Sequence, residues 1–467
     1  MRQLETLSAI LVISALALGS ATAAEPASTD CATGSLPSAL CSQAESRNET
    51  DDCLIGAYRL KDDTIVDINS ADGAALRWRH SDGTTGALTK SADNLWKSTL
   101  GWTGRADGRN ISFSACSQGT LRFDGVEGRR LAFDSTDTAF DGEGVKLAGR
   151  LILPKGQTAI PVVVLLHGSE SDSSLLFNSM QRRLPAAGIG VFVYDKRGTG
   201  KSTGTYTQDF TLLARDAVAA MKEARRLAGY RVGRIGYQGP SQGGWIAPLA
   251  AQSAPVDFVI VTFGLAVSPV EEDREAVELN MQKYPPDIQA KALEIASAAE
   301  DLIASGMTQG FERLEQVREL YQREPWFKDV RGNFTYLLLG FSPAELREKR
   351  QMFVLGTPMH YDSVPVIASL KTPQLWILAQ DDIDAPSAET ARRLEKLRAS
   401  GHPITTAMFP RTEHGIFEYE TQPDGTRLST RQPQGYLELM LDFARQGRVH
   451  GQYGSATVSA PAKSGAH

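Results

Sequence analysis

Ser241 sits in Gly239-Pro240-Ser241-Gln242-Gly243, a G-x-S-x-G pattern between two runs of different character. Before it comes Arg234-Ile235-Gly236-Tyr237-Gln238, short and partly apolar like a buried strand. After it comes Gly244-Trp245-Ile246-Ala247-Pro248-Leu249-Ala250-Ala251, apolar and compatible with a helix. Strand, G-x-S-x-G and helix in that order describe a nucleophile elbow. A serine on so sharp a turn needs neighbours without side chains, because the two chain segments otherwise collide. The turn exposes Oγ. The following helix aims unpaired N–H groups and its positive dipole end at any oxyanion that forms there.

Serine alone is a poor nucleophile and needs a base, and the base needs an orienting group. Five histidines follow Ser241: His360, His402, His414, His450 and His467. His450 and His467 lie in or beside a Gly/Ser/Ala-rich tail. His360 precedes the acid candidates, and His402 lies in a turn that feeds the expected strand Ile404 to Phe409. His414 follows that strand in Arg411-Thr412-Glu413-His414-Gly415, on a loop placed to project over the elbow. The acid should end an earlier strand. Gln374 to Ala379 reads as a buried strand, and Gln380-Asp381-Asp382-Ile383-Asp384-Ala385-Pro386 follows it. One carboxylate there must accept from the His414 Nδ1–H and hold the imidazole tautomer. Spacing alone leaves Asp381, Asp382 and Asp384 open.

From about residue 145 to 447 the chain resembles the α/β-hydrolase superfamily. The motifs occur in order: Leu165-Leu166-His167-Gly168 after a Val-rich strand, then Tyr194-Asp195-Lys196-Arg197-Gly198-Thr199-Gly200-Lys201-Ser202, the elbow, the Asp loop and the His loop. The resemblance implies a mostly parallel sheet with helices on both faces. It also implies an acid four residues before a proline, which selects Asp382 by counting back from Pro386. Ala379 stands where glycine is common. Pro240 and Glu170 also depart from the usual pattern, which bears on the shape of the acyl site. The oxyanion donors implied are the backbone N–H groups of Gln242, after the nucleophile, and of Ser169, after His167-Gly168. His167 reads as a loop-organising residue, and Asp195 and Arg197 as braces for their own loop.

The 467 residues, 42% hydrophobic and 22% charged, suffice for two or three domains with a substantial core. Net charge is −6 without a basic stripe, so nucleic acid is not an expected partner. The scattered His and Cys residues lack ligand spacing, so neither a metal nor a cofactor is expected. Gly198-Thr199-Gly200-Lys201-Ser202 lacks the spacing of a phosphate loop.

Arg2, the apolar stretch Ile10 to Leu18 and Ala21-Thr22-Ala23 read as a secretory signal peptide cleaved near Ala23 or Ala24. Secretion or a periplasmic location follows, without stable membrane insertion after cleavage. Cys31, Cys41, Cys53 and Cys116 then permit two disulfides, with Cys31–Cys41 and Cys53–Cys116 the expected pairing. The segments expected are a signal peptide over 1–24 and a flexible leader over 25–49. A β-rich module over 50–135 follows, signalled by short runs between Asp-Gly and Gly-Arg turns. A hydrolase domain spans 140–265 and 361–447, with a helical lid inserted over 266–360 and a disordered tail over 448–467. Trp78, Trp96 and Trp102 are expected to fill the module's core. Phe311, Tyr321, Trp326, Phe327, Tyr336 and Phe341 of the insertion offer lining for an acyl pocket or filling for its own core.

The function expected is an exported carboxylesterase acting on a small-molecule ester of short or medium acyl length. Ser241, His414 and Asp382 would work as a triad. A serine peptidase of the prolyl-oligopeptidase-related type is the alternative, and a non-catalytic binding protein on a hydrolase scaffold is a third reading. Oligomeric state is not legible.

Overall fold

The computed structural model describes residues 52–71, 76–92 and 94–461. The expected signal peptide, the leader, Cys31, Cys41 and His467 lie outside the described residues.

The N-terminal module is a closed barrel of eight antiparallel strands, each paired with the next. Closure comes from the first strand, Gly56–Leu60, pairing with the last, Val126–Arg130. A closed barrel has no free edge to pair with other chains. Its inward positions carry Tyr58, Ile68, Trp78, Leu88, Trp96 and Ile111, all buried. Trp78 and Trp96 therefore fill the core, as expected of them. Trp102 does not: it lies on the barrel's surface, packed against Phe417 with ring centroids 4.6 Å apart and under the Arg77 guanidinium. Cys53 and Cys116 form a disulfide that ties the chain before the first barrel strand to the loop after Ala106–Phe113.

The second unit is built on a nine-stranded sheet. Its central strands run parallel in the spatial order Gly190–Tyr194, Ile160–Leu165, Val232–Pro240, Phe258–Thr262, Gln374–Ala379 and Ile404–Phe409. Four of these six, Gly190–Tyr194, Phe258–Thr262, Gln374–Ala379 and all but the first residues of Ile160–Leu165, are buried along their length. Such continuous burial is what a parallel sheet covered on both faces requires. One face packs on the helices Phe210–Ala228, Gly243–Ser253 and Ala388–Ala399. The other packs on Met180–Ala186 and Tyr436–Gln446. On one edge, the long hairpin of Phe133–Gly142 and Val145–Pro154 adds two antiparallel strands.

The opposite edge corrects the sequence reading. Thr457–Ser459, expected within a disordered tail, pairs antiparallel with Ile404–Phe409. Three residues of modest hydrophobicity gave no strand signal, yet the unpaired edge of Ile404–Phe409 supplies ladder partners that such a segment satisfies.

Between Phe258–Thr262 and Gln374–Ala379 lies the helical insertion. Its main helices are Pro269–Met281, Pro286–Ala304, Phe311–Tyr321, Asn333–Leu339 and Pro343–Glu348. Pro285-Pro286 separates the first two helices, with Pro286 opening the second at a position where its missing N–H costs nothing. Ser268 and Glu271 form a reciprocal capping box at the first helix. The insertion has its own apolar core, which contains Trp326 and packs Phe311, Tyr321, Phe327 and Phe341 against it. Those aromatics are spent on the insertion itself, and Tyr336 is exposed. A cavity of about 340 Å³ within it is lined by Val270, Leu293, Ile303 and Phe334, and does not include Ser241, Asp382 or His414.

Candidate active site

The strand Val232–Pro240 and the helix Gly243–Ser253 meet at Ser241, whose φ of +48° places it in the left-handed region. For a residue bearing a Cβ that conformation costs about 1–2 kcal/mol and persists only where the surroundings enforce it. The flanking glycines enforce it by close approach. A Cβ on Gly239 would lie 2.2 Å from the Gly243 carbonyl oxygen, and one on Gly243 would lie 2.8 Å from that of His167. Neither position accepts any side chain. The Ser241 N–H donates to the Thr262 carbonyl at 3.0 Å, tying the turn to the neighbouring strand.

The structure brings together three of the residues read from sequence. His414 Nε2 lies 3.2 Å from Ser241 Oγ. Its Nδ1 lies 2.9 Å from Asp382 Oδ2. Asp382 is buried, and its Oδ1 accepts from the backbone N–H groups of Asp384 and Ala385 at 3.1 and 2.8 Å. With one oxygen committed to the backbone, the other is fixed toward the imidazole. Asp381 is turned elsewhere: its carboxylate accepts from the Tyr419 hydroxyl at 2.9 Å. Asp384 makes no hydrogen bond to the imidazole, although its charge acts on it.

His414 follows the short strand Thr412–Glu413 in a three-stranded sheet with Phe417–Thr421 and Arg427–Arg431. The barrel supports this sheet. The Trp102 N–H donates to the Ser429 carbonyl at 2.9 Å, Trp102 packs on Phe417, and Arg105 pairs with Glu420 through two 2.9 Å bonds. Phe263 packs edge-on against the imidazole, centroids 4.8 Å apart.

Of the two expected oxyanion donors, Gln242 directly follows the nucleophile, and the loop of the other approaches it through Gly168. Gln242 is the residue before the helix Gly243–Ser253, and its side chain is buried. The loop carrying Ser169 lies against Ser241: a Cβ built on Gly168 would sit 3.5 Å from the Ser241 Cβ. His167 is buried and contacts the Tyr194 carbonyl through Nε2 at 2.6 Å, the loop-organising place expected of it. Asp195 and Arg197 also brace their surroundings: Asp195 accepts from Ser173 and from the Lys201 N–H, and Arg197 makes two 2.7 Å bonds to Asp216. His360, His402 and His450 take no part.

A feature that sequence reasoning missed is the acidity of the site. Glu272 comes from the insertion, Asp384 from the loop after Gln374–Ala379 and Glu413 from the short strand before His414, and all three have raised pKa values caused first by burial. Glu272 reaches about 8. Burial alone would lower the His414 pKa. The charge and hydrogen bond of Asp382, followed by Asp384 and Glu272, outweigh it and push the imidazole up to about 9. A general base works only when neutral, so kcat/KM is expected to fall as pH drops below that value. Asp384→Asn removes one negative neighbour and should move this acid limb to lower pH. An acid limb near the ordinary imidazole value of 6.5, unmoved by the substitution, would contradict the electrostatics.

Two comparisons bear on descent. A family described as serine aminopeptidase, S33, matches residues 157–338, the stretch from the first central strand through the elbow into the insertion. Over that stretch the chain is similar to the serine hydrolases of the α/β-hydrolase superfamily. Esterase EstD of Thermotoga maritima is 27% identical over 183 residues, 37% of this chain. The match spans 40% of that relative's length. Among solved structures, this chain is similar to the Pyrococcus furiosus esterase Pf2001, with 17% identity, 60% of this chain and 84% of the other covered, and a TM-score of 0.39. It is also similar to the Pyrococcus horikoshii acylaminoacyl peptidase, with 16% identity, 75% and 52% covered, and a TM-score of 0.37.

Among the described residues, no group of three or more His, Cys, Asp or Glu side chains is arranged to hold a metal ion. No helix among them is long and apolar enough to cross a membrane.

Proposed function

We propose that this α/β-hydrolase is an exported serine carboxylesterase that cleaves small or medium acyl esters through an acyl-enzyme. The observation that carries the reading is the hydrogen-bonded line from Ser241 through His414 to buried Asp382. Ser241 Oγ attacks the ester carbonyl while His414 Nε2 takes its proton. The Asp382 carboxylate keeps the remaining imidazole proton on Nδ1 and balances the imidazolium. The N–H groups of Gln242 and Ser169 stabilise the tetrahedral oxyanion. His414 then returns the proton to the leaving alcohol. Water repeats the sequence on the acyl-enzyme and releases the acid. The relationship to Esterase EstD supports the ester class, and the Cys53–Cys116 disulfide supports an oxidising compartment. The helical insertion would act as a lid, since Glu272 reaches from it to the site.

A second reading, an aminopeptidase, has one observation behind it. Among the described residues Glu272 has no ion pair with a Lys or Arg, and its charge and that of His414 act on each other. A substrate ammonium there would be welcome. An amine, however, is a poor leaving group and needs the peptide gripped on both sides of the bond. A panel of p-nitrophenyl esters of graded acyl length beside aminoacyl anilides separates the two. Clear turnover of short-chain aryl esters with little or none of the anilides is expected. A kcat/KM for any anilide equal to that of the best ester would transfer the assignment to the peptidase.

A further inference from the structure

The loop bearing Ser169 is held in place by side chains from another segment. Lys196 Nζ donates to the Gly168 carbonyl at 2.8 Å. The Tyr206 hydroxyl donates to the Ser169 carbonyl. The Gly168 N–H in turn donates to Glu170 Oε1 at 3.1 Å. A trans peptide is planar, and its C=O and N–H point in opposite directions. Lys196, by holding the Gly168 carbonyl, therefore sets the direction of the Ser169 N–H in the same peptide unit. Tyr206, by holding the Ser169 carbonyl, sets the next unit. Both planes on either side of Ser169 are thus fixed from outside the loop.

The supports are themselves fixed. The Lys196 ammonium lies over the Tyr206 ring, 4.7 Å from its centroid. Gln208 Nε2 donates to the Tyr206 oxygen at 3.0 Å, and Gln208 Oε1 accepts from Thr357 at 2.7 Å, at the end of the helical insertion. Lys196 is 2% exposed. Burial lowers its pKa to about 8, with Glu170 and Asp172 opposing. Placing an ammonium there carries a desolvation penalty that only its partners offset, and a core position could be filled by an apolar residue instead. The carbonyl it grips lies beside the nucleophile, since the Gly168 Cβ position is 3.5 Å from that of Ser241.

We propose that Lys196 and Tyr206 are positioning residues for the oxyanion site, holding the two peptide planes around Ser169 so that its N–H faces the acyl oxygen in the transition state. This rests on the proposed Ser241 chemistry. A misaimed donor weakens the transition state more than the bound ester, so kcat should fall while KM holds.

The test uses the full chain with Lys196→Met, Lys196→Arg and Tyr206→Phe, assayed on p-nitrophenyl acetate. Affinity for a trifluoromethyl ketone, which forms a tetrahedral adduct, is measured alongside. Loss of a whole oxyanion donor costs on the order of 10²–10³ in kcat, so a misaimed one should cost roughly 10–100-fold in Lys196→Met and less in Tyr206→Phe. KM should change less than about threefold, ketone affinity should fall in proportion to kcat/KM, and Lys196→Arg should restore part of both. Folded variants with unchanged kcat would overturn the proposal, as would a fall in kcat/KM with ketone affinity unmoved. If thermal unfolding shows that Lys196→Met does not fold, Tyr206→Phe, which deletes one hydroxyl, decides by the same criteria. A fully active Ser241→Ala removes the underlying chemistry and this proposal with it. An inactive Ser241→Ala beside silent Lys196 and Tyr206 variants removes only the positioning role.

Discussion

Ser241→Ala is expected to lower kcat on aryl esters by roughly 10⁴-fold or more while leaving the fold intact. Both halves follow from the elbow. Ser241 holds a φ of +48° because the strand, the helix and the flanking glycines leave it no other course. Alanine has the same Cβ and meets the same backbone strain, so stability should change by no more than an ordinary surface substitution, about 0.5 kcal/mol. What is lost is Oγ, the atom 3.2 Å from His414 Nε2. The remaining rate would come from the oxyanion donors and substrate positioning, which act without the nucleophile. Steady-state kinetics beside a thermal melt checks both halves. Activity retained within tenfold would mean that the elbow serine is not the reacting group.

The second large effect separates neighbouring acids. Asp382→Asn should lower kcat by on the order of 10²–10⁴, while Asp381→Asn should stay within about threefold. The Asp382 side chain has two jobs, one per oxygen. Oδ1 accepts two backbone N–H groups, which an asparagine oxygen can still do. The other position would then present an NH₂ to His414 Nδ1. A donor there forces Nδ1 to accept, which moves the ring proton to Nε2 and removes the lone pair that must take the Ser241 proton. Asp381 instead meets the Tyr419 hydroxyl, and its backbone carbonyl accepts from Arg427 at 2.6 Å. Its loss would loosen that small sheet without touching the imidazole directly. Equal losses in both variants would show that the damage is structural.

The contrast between these two aspartates also shows what was readable in the chain. Spacing along Gln380 to Pro386 left three carboxylates open, because a loop's turn decides which one points inward. Only the resemblance to α/β-hydrolases chose Asp382, and the geometry brings that residue to His414. The elbow was legible for a local reason: a strand, a tight glycine turn and a helix follow one another within twenty residues, and each leaves its own pattern. His414 was legible because it follows a strand of strong β character in chain order. Barrel closure was not. Hairpins announce themselves through Asp-Gly turns, but the pairing of Gly56–Leu60 with Val126–Arg130 joins segments about seventy residues apart and has no local signal. The seat of Trp102 against Phe417 is hidden for the same reason. Thr457–Ser459 was missed because its strand exists only as an addition to an edge formed elsewhere. The buried Lys196 and the acidic surroundings of His414 were invisible too, since a charged residue in a sequence reads as solvated until the fold buries it.

The most direct test of the central claim is labelling of the folded full-length protein with a fluorophosphonate probe, followed by peptide mapping. Attack on phosphorus needs the same activated Oγ and the same oxyanion donors as attack on an ester carbonyl. One adduct per chain is expected, on Ser241, with labelling slowing as pH falls through the range in which His414 gains its proton. An adduct on another residue, or no labelling at a pH where His414 is neutral, would contradict it.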